Sequence, residues 1–218
     1  MTRKFRNYRN HLKLPAMPDA EIVSFLNSAV FKNINCSDLK QSRYFLEMAK
    51  LYNYEPIILR FISEEPETFA RCIHWSEDID NVTRILANKA VKALITNESL
   101  CFHQAPLAEL TDGWNINWDN FDKLIFEYLN PLYFDSELAE LVCNGGLFEK
   151  WIYSAAEAKT WATVFVNEII QGRFDDFKIY QLEEGWSGWF GGMYEDLSFF
   201  IFDEGRGEFW ILAMTDSD

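Results

Sequence analysis

Apolar residues recur at helical spacing through most of the first 170 positions and change to strand-like runs only after Gly172. Pro18-Asp19 opens a pattern in which Ile22, Phe25, Leu26, Ala29 and Val30 share one face. Ser37 precedes a second expected helix with Leu39, Phe45, Leu46, Ala49 and Tyr52 as its apolar positions. Pro56 and Pro66 suit the first turns of two shorter helical segments, Ile57–Ile62 and Glu67–Trp75. Ser76 fits the N-cap of an amphipathic helix carrying Ile79, Val82, Leu86, Ala90, Ala93 and Leu94. Two further helices are read over Asp119–Leu129, stopped by Asn130-Pro131, and Ser136–Cys143, stopped by Asn144-Gly145-Gly146. Paired short helices suggest a solenoid, but no fixed period or consensus recurs.

The clearest local signal is Ser154-Ala155-Ala156-Glu157. Here a serine oxygen and a carboxylate three residues later can each satisfy an orphan amide of a helix start. Trp161, Phe165 and Ile169 follow at helical spacing, and Gly172 stands where a helix of this length would end. Beyond it, Phe177–Leu182, Leu197–Asp203 and Phe209–Thr215 read as strands, the last two joined by the hairpin-type connection Glu204-Gly205-Arg206-Gly207. Alternation assigns Phe199, Ile201, Phe209, Ile211 and Ala213 to one face of that hairpin, and Phe200, Phe202, Trp210, Leu212 and Met214 to the other. Both faces are apolar and both need cover.

These elements predict an α+β fold: a predominantly helical N-terminal two-thirds, then a small C-terminal antiparallel sheet packed on the helices. Residues 1–18 read as a basic arm and 19–218 as one domain, helical over 19–172 and sheet over 173–218. No Pro/Gly/Ser-rich linker divides it.

Composition adds an electrostatic character. The chain has 218 residues and a formal net charge of −14, unevenly spread. The arm holds Arg3, Lys4, Arg6, Arg9 and Lys13 and no acid, whereas Phe174–Asp218 has 11 acids against Lys178 and Arg206. Such a body repels nucleic acid and attracts basic proteins, raising their encounter rate. The arm, which also carries Phe5 and Tyr8, reads as a frayed segment or one lying on the acidic body; a transit peptide or a phosphate-seeking arm fits it less well. No apolar run approaches the roughly 20 residues of a membrane helix. Four scattered cysteines do not make a disulfide framework, so a soluble protein of the reducing cytoplasm is expected.

Few constellations carry chemistry. Cys72-Ile73-His74 and Cys101-Phe102-His103 have zinc-ligand residue types, and a Cys–His nucleophile needs the same ones. Cys72 and His74 fall in an expected helix, however, where positions two apart point about 200° apart. A buried cysteine beside a hydrogen-bonded histidine therefore fits better. No nucleophile elbow, phosphate loop, dinucleotide fingerprint or His-Glu-x-x-His occurs, and no cofactor is implied. Carboxylate pairs at Asp175-Asp176, Glu183-Glu184, Glu195-Asp196 and Asp203-Glu204 lie at expected strand ends. Glu183, Glu184, Glu195, Asp196, Asp203 and Glu204 around Trp186, Trp189 and Tyr194 would form an acidic rim on aromatic anchors, the anatomy of a surface for a basic partner.

The expectation is a non-enzymatic acidic binding protein. In character it is similar to bacterial inhibitor or immunity proteins that neutralise a basic toxin such as a nuclease, although no motif carries that likeness. The alternatives are a small hydrolase-like enzyme using a carboxylate pair or Cys–His site, and a self-associating structural subunit built on the two-faced hairpin.

Overall fold

A computed structural model describes residues 17–52, 55–75, 85, 124–146, 149–186, 190 and 196–216. Six strands form one sheet: β1 (Phe31–Asn33), β2 (Ile57–Ser63), β3 (Glu127–Leu129), β4 (Phe177–Leu182), β5 (Leu197–Asp203) and β6 (Glu208–Met214). Their order is β1-β2-β6-β5-β4-β3, and every neighbouring pair is antiparallel. Six α-helices are present among the described residues: α1 (Asp19–Ser28), α2 (Ser37–Lys40), α3 (Arg43–Leu51), α4 (Pro66–Trp75), α5 (Phe134–Asn144) and α6 (Ala155–Ile170).

This architecture overturns the expected small C-terminal sheet. Three of the six strands precede residue 173, and α5 and α6 lie in sequence between β3 and β4. The decisive misreading is β2. Its sequence Ile-Ile-Leu-Arg-Phe-Ile-Ser was expected to be helical after Pro56, but it pairs with β6 from Ile57↔Ala213 to Ile62↔Glu208. Ile57, Leu59 and Phe61 enter one core while Ile58 enters the other, so the run shows no polar alternation and its period does not separate strand from helix. The expected helix Asp119–Leu129 ends as strand β3, its first five residues being outside the described ones. The single helix expected after Ser37 is two, divided at Gln41-Ser42; Ser42 Oγ accepts the Phe45 N–H and starts α3. Of the helix expected after Ser76, only Ile85 lies among the described residues, helical and buried.

Both faces of the sheet are covered by helices. On the first, Phe61, Phe209, Ile211, Phe200 and Phe202 pack against Leu26 of α1 and Phe69 and Cys72 of α4. On the second, Ile58, Trp210, Leu212, Phe199 and Ile201 meet Phe45 and Met48 of α3, Phe134 and Leu138 of α5, and Phe165 and Ile169 of α6. The hairpin faces therefore combine differently from the sequence expectation. Asp203 pairs with Glu208 across the four-residue turn, which sets odd positions of β5 opposite even positions of β6, as in Ile201↔Trp210. Every residue of both strands is buried.

Two local devices hold these layers in place. The capping box at α6 is formed as read: Ser154 Oγ accepts the Glu157 N–H at 3.2 Å and Glu157 Oε2 accepts the Ser154 N–H at 2.9 Å. At the tip of the β5–β6 hairpin, Gly207 takes φ +66° and lies so close to α4 that a Cβ there would stand 2.3 Å from the Pro66 carbonyl oxygen. Ser154→Ala is expected to lower stability by about 1 kcal/mol through the lost cap. Gly207→Ala should cost more, because the left-handed backbone alone adds roughly 1–2 kcal/mol before the collision with Pro66. Urea denaturation of the two variants in parallel checks the ranking.

Candidate functional site

The carboxylates expected to rim a binding surface have two different fates. Those at the β5–β6 turn are buried and neutralised within the chain. Asp203, 1% exposed, accepts hydrogen bonds from both terminal nitrogens of Arg173, with Nη1 at 2.8 Å from Oδ1, and from the Arg206 N–H. Glu204 Oε2 lies 2.8 Å from His74 Nδ1, and its other oxygen is 3.4 Å from Lys178 Nζ. Lys178 also donates to the carbonyls of Ile73 and His74 at the end of α4. Glu208 receives Arg60 through Nε and Nη2, and that guanidinium lies 4.5 Å from the Trp210 ring centre. Burial holds the Glu208 carboxyl above its ordinary pKa even though Arg60 opposes the shift.

Two other expected site residues are core. Asp196 is buried, and its Oδ1 accepts the Thr215 hydroxyl at 2.6 Å. Trp186 is buried and donates from Nε1 to Ser198 Oγ at 2.8 Å. Glu183 and Glu184 are exposed. Trp189, Tyr194 and Glu195 lie outside the described residues, as do Cys101 and His103. Cys72 and His74 turn away from each other on α4: Cys72 Sγ lies 3.8 Å from Met17 Sδ in the apolar core, and His74 faces Glu204. Burial pushes the Cys72 thiol up to about 12, so it is no thiolate at neutral pH. Among the described residues no group of three or more His, Cys, Asp or Glu side chains is placed to hold a metal ion, and no helix is long and apolar enough to cross a membrane.

The structure brings a different set of acids together. A cavity of about 350 Å³ opens between α5 and the adjoining ends of β4 and β5. One face of α5 supplies Glu137, Glu140, Leu141 and Asn144, at successive helical spacings of three, one and three residues. Gln181 and Glu183 come from β4 and the residue beyond it, Asp196 and Leu197 from the start of β5, and Tyr52 from the end of α3. Gly145, at φ +76°, ends α5 beside the cavity. At Gly146 the chain passes so close to α3 that a Cβ would stand 2.0 Å from the Leu51 carbonyl oxygen, which is how Tyr52 comes within reach of the α5 carboxylates.

Four carboxylates line this cavity, and the described lining residues include no Lys, Arg or His. Gln181 Nε2 donates to Glu183 at 3.0 Å. The Glu137 carboxyl is held above its usual range by burial first and then by the like charges of Glu140 and Glu183, with a hydrogen bond to Gln181 opposing. Such a site favours a cation that brings its own hydrogen-bond donors. Glu183 and Asp196 were legible as candidates. Glu137 and Glu140 were not, because acids at that spacing read as the solvated face of a helix.

A second aromatic concentration is already filled. Trp151, Tyr153 and Trp161 pack edge-to-face with centroids 5.0 to 5.4 Å apart, and Arg43 lies 4.9 Å over Trp161 while pairing with Glu47 at 2.7 Å. No protein-family model matches the chain, nor does any curated protein or solved structure.

The neutralised carboxylates of the hairpin turn predict a strong asymmetry between single and double substitutions. Arg173→Met leaves Asp203 buried without its main cation and should cost about 3–5 kcal/mol, whereas Arg173→Met with Asp203→Leu should recover much of that loss. Chemical denaturation of the single and double variants measures both.

Proposed function

We propose that this chain is a non-enzymatic binding protein for a basic protein partner, one of whose cationic side chains enters the cavity between α5 and the β4 and β5 ends. The observation that carries the reading is the cavity's charge: Glu137, Glu140, Glu183 and Asp196 line it with no described cation, in a chain of net charge −14. Glu137, Glu140 and Glu183 contrast with buried Glu47, Asp203, Glu204 and Glu208, each of which has a basic side chain of this chain within ion-pair distance. The long-range field favours fast encounter with a basic surface, and the cavity supplies a defined point of engagement. An inhibitor of a toxin nuclease in the cytoplasm fits this chemistry. A nuclease needs a positive cleft for phosphates, and an acidic protein that engages such a cleft excludes the substrate.

The probe for this reading is a hexa-arginine peptide, titrated at low salt by calorimetry. The protein is the full chain with Arg3, Lys4, Arg6, Arg9 and Lys13 changed to Gln, so that no basic segment of its own competes. Adding Glu137→Gln, Glu140→Gln and Glu183→Gln should weaken binding at least about tenfold. A control with Asp38→Asn, Glu64→Gln and Glu168→Gln, equal in charge but away from the cavity, should change it by less than about threefold. Equal losses in the two triples would mean diffuse attraction and would sink the cavity as the site.

The raised pKa of Glu137 adds a stability prediction whose sign is the reverse of a salt-bridged acid. Its charged form is disfavoured in the folded chain, so ionised Glu137 lowers stability at neutral pH, and the loss is relieved as pH falls through the raised pKa. Glu137→Gln should leave the thermal midpoint at pH 7 unchanged or higher while weakening peptide binding. A lowered midpoint would contradict the role of Glu137 as a residue kept for binding at the expense of stability.

A further inference from the structure

We propose that Asn144 is a site of spontaneous modification, at which the backbone nitrogen of Gly145 displaces the side-chain amide and water then leaves a carboxylate. The inference stands apart from the reading of the cavity as a partner site, because the chemistry needs only these two residues and water. Asn144 is the one asparagine of the chain that a glycine follows. It is the last residue of α5, it is exposed, and it lines the cavity. Among the described residues none hydrogen-bonds its side-chain amide, so the group is free to turn toward the nitrogen that follows it.

The step balances without a cofactor, and nothing is oxidised or reduced. Gly145 N bonds to Asn144 Cγ and gives up its proton, the Cγ–Nδ2 bond breaks, and Nδ2 leaves as ammonia. Water opens the resulting cyclic imide on either side of the nitrogen. Opening at Cγ restores the main chain with an aspartate in place of Asn144; opening at the backbone carbonyl carbon leaves an isoaspartyl link that runs through the side chain. The fold favours attack at this position. Glycine has no Cβ to crowd its nitrogen. The Gly145 N–H is held by a single bond of 3.2 Å to the Val142 carbonyl, a three-residue bond of the last turn. Gly145 at φ +76° then takes the chain out of the helix, and helix ends open at little cost in free energy.

Both products act on the same junction. An aspartate adds negative charge at the C-terminal end of α5, four residues after Glu140, where helix dipole and like charge both oppose it. An isoaspartyl link lengthens the backbone just before Gly146, which already passes so close to α3 that a Cβ would stand 2.0 Å from the Leu51 carbonyl oxygen. The molecule's age is thereby written into the junction that brings Tyr52 to the cavity.

The folded full-length chain is kept in mildly alkaline heavy-oxygen water, beside a sample unfolded in urea, and peptide mass spectrometry follows each asparagine. Incorporated heavy oxygen separates conversion during incubation from conversion during digestion. In the folded chain Asn144 is expected to convert at least about tenfold faster than the exposed helical residues Asn27 and Asn167. An isoaspartyl methyltransferase should label part of the product, and Asn144→Gln, which needs a larger ring, should remain unlabelled at that position. Conversion of Asn144 in urea but no faster than Asn27 and Asn167 in the folded chain would overturn the proposal, because the fold would then protect the bond. Asn144→Asp should lower the thermal midpoint by roughly 1–3 °C. An unchanged or higher midpoint would remove the loosening of α5.

Discussion

The structure depends on β6 lying between β2 and β5. All seven residues of β6 are buried, and its two faces feed separate cores. A strand apolar on both sides cannot stay in water on either, so the sheet must carry a helical layer above and below. That requirement explains why β2, about 150 residues upstream, belongs beside β6: α1 and α4, which flank it in sequence, cover the first face. The tie is chemical as well as hydrophobic, because Arg60 of β2 donates to Glu208 of β6 through two nitrogens.

Charge is sorted by this arrangement. Where strands β5 and β6 turn, burial forces each carboxylate to find a cation, and Arg60, Arg173 and Lys178 are drawn inward to provide them, with His74 Nδ1 beside Glu204. On the other side of the same strands, around α5, like charges are gathered with no cation among the described lining residues. The first pattern is what a fold does to make acid tolerable in its interior. The second raises the free energy of the folded chain, and such an arrangement persists most readily where it has a use.

What could be read in advance divides along physical lines. β4 and β5 were legible to the residue and β6 within one residue, because Gly-containing turns bound short runs rich in Phe and Ile. The α6 cap was legible because its chemistry spans only four residues. β2 was not, since burial on both faces removes the alternation that marks a strand. The fate of Asp203 and Glu204 was equally hidden: turn acids are ordinarily solvated, and the partners that bury these two, Arg173 and His74, stand 30 and 130 residues away in sequence. The cavity was half legible. Glu183 and Asp196 stood out as acids at strand ends, whereas Glu137 and Glu140 join them only through the packing of α5 against the sheet.

The lengths of the strands have a consequence for how the chain avoids aggregation. Those at the two ends of the described sheet, β1 and β3, have only three residues each, and Lys32 and Glu127 are exposed on them. The inner strands have six or seven residues and carry nearly all the aromatic mass. Short, charged outer strands offer little template for a foreign strand. Loss of β1 or β3 alone would leave the Leu197–Phe202 run, a segment of the kind that stacks into fibrils, still enclosed by β4 and β6. The sheet can fray at its margins without exposing its most adhesive sequence.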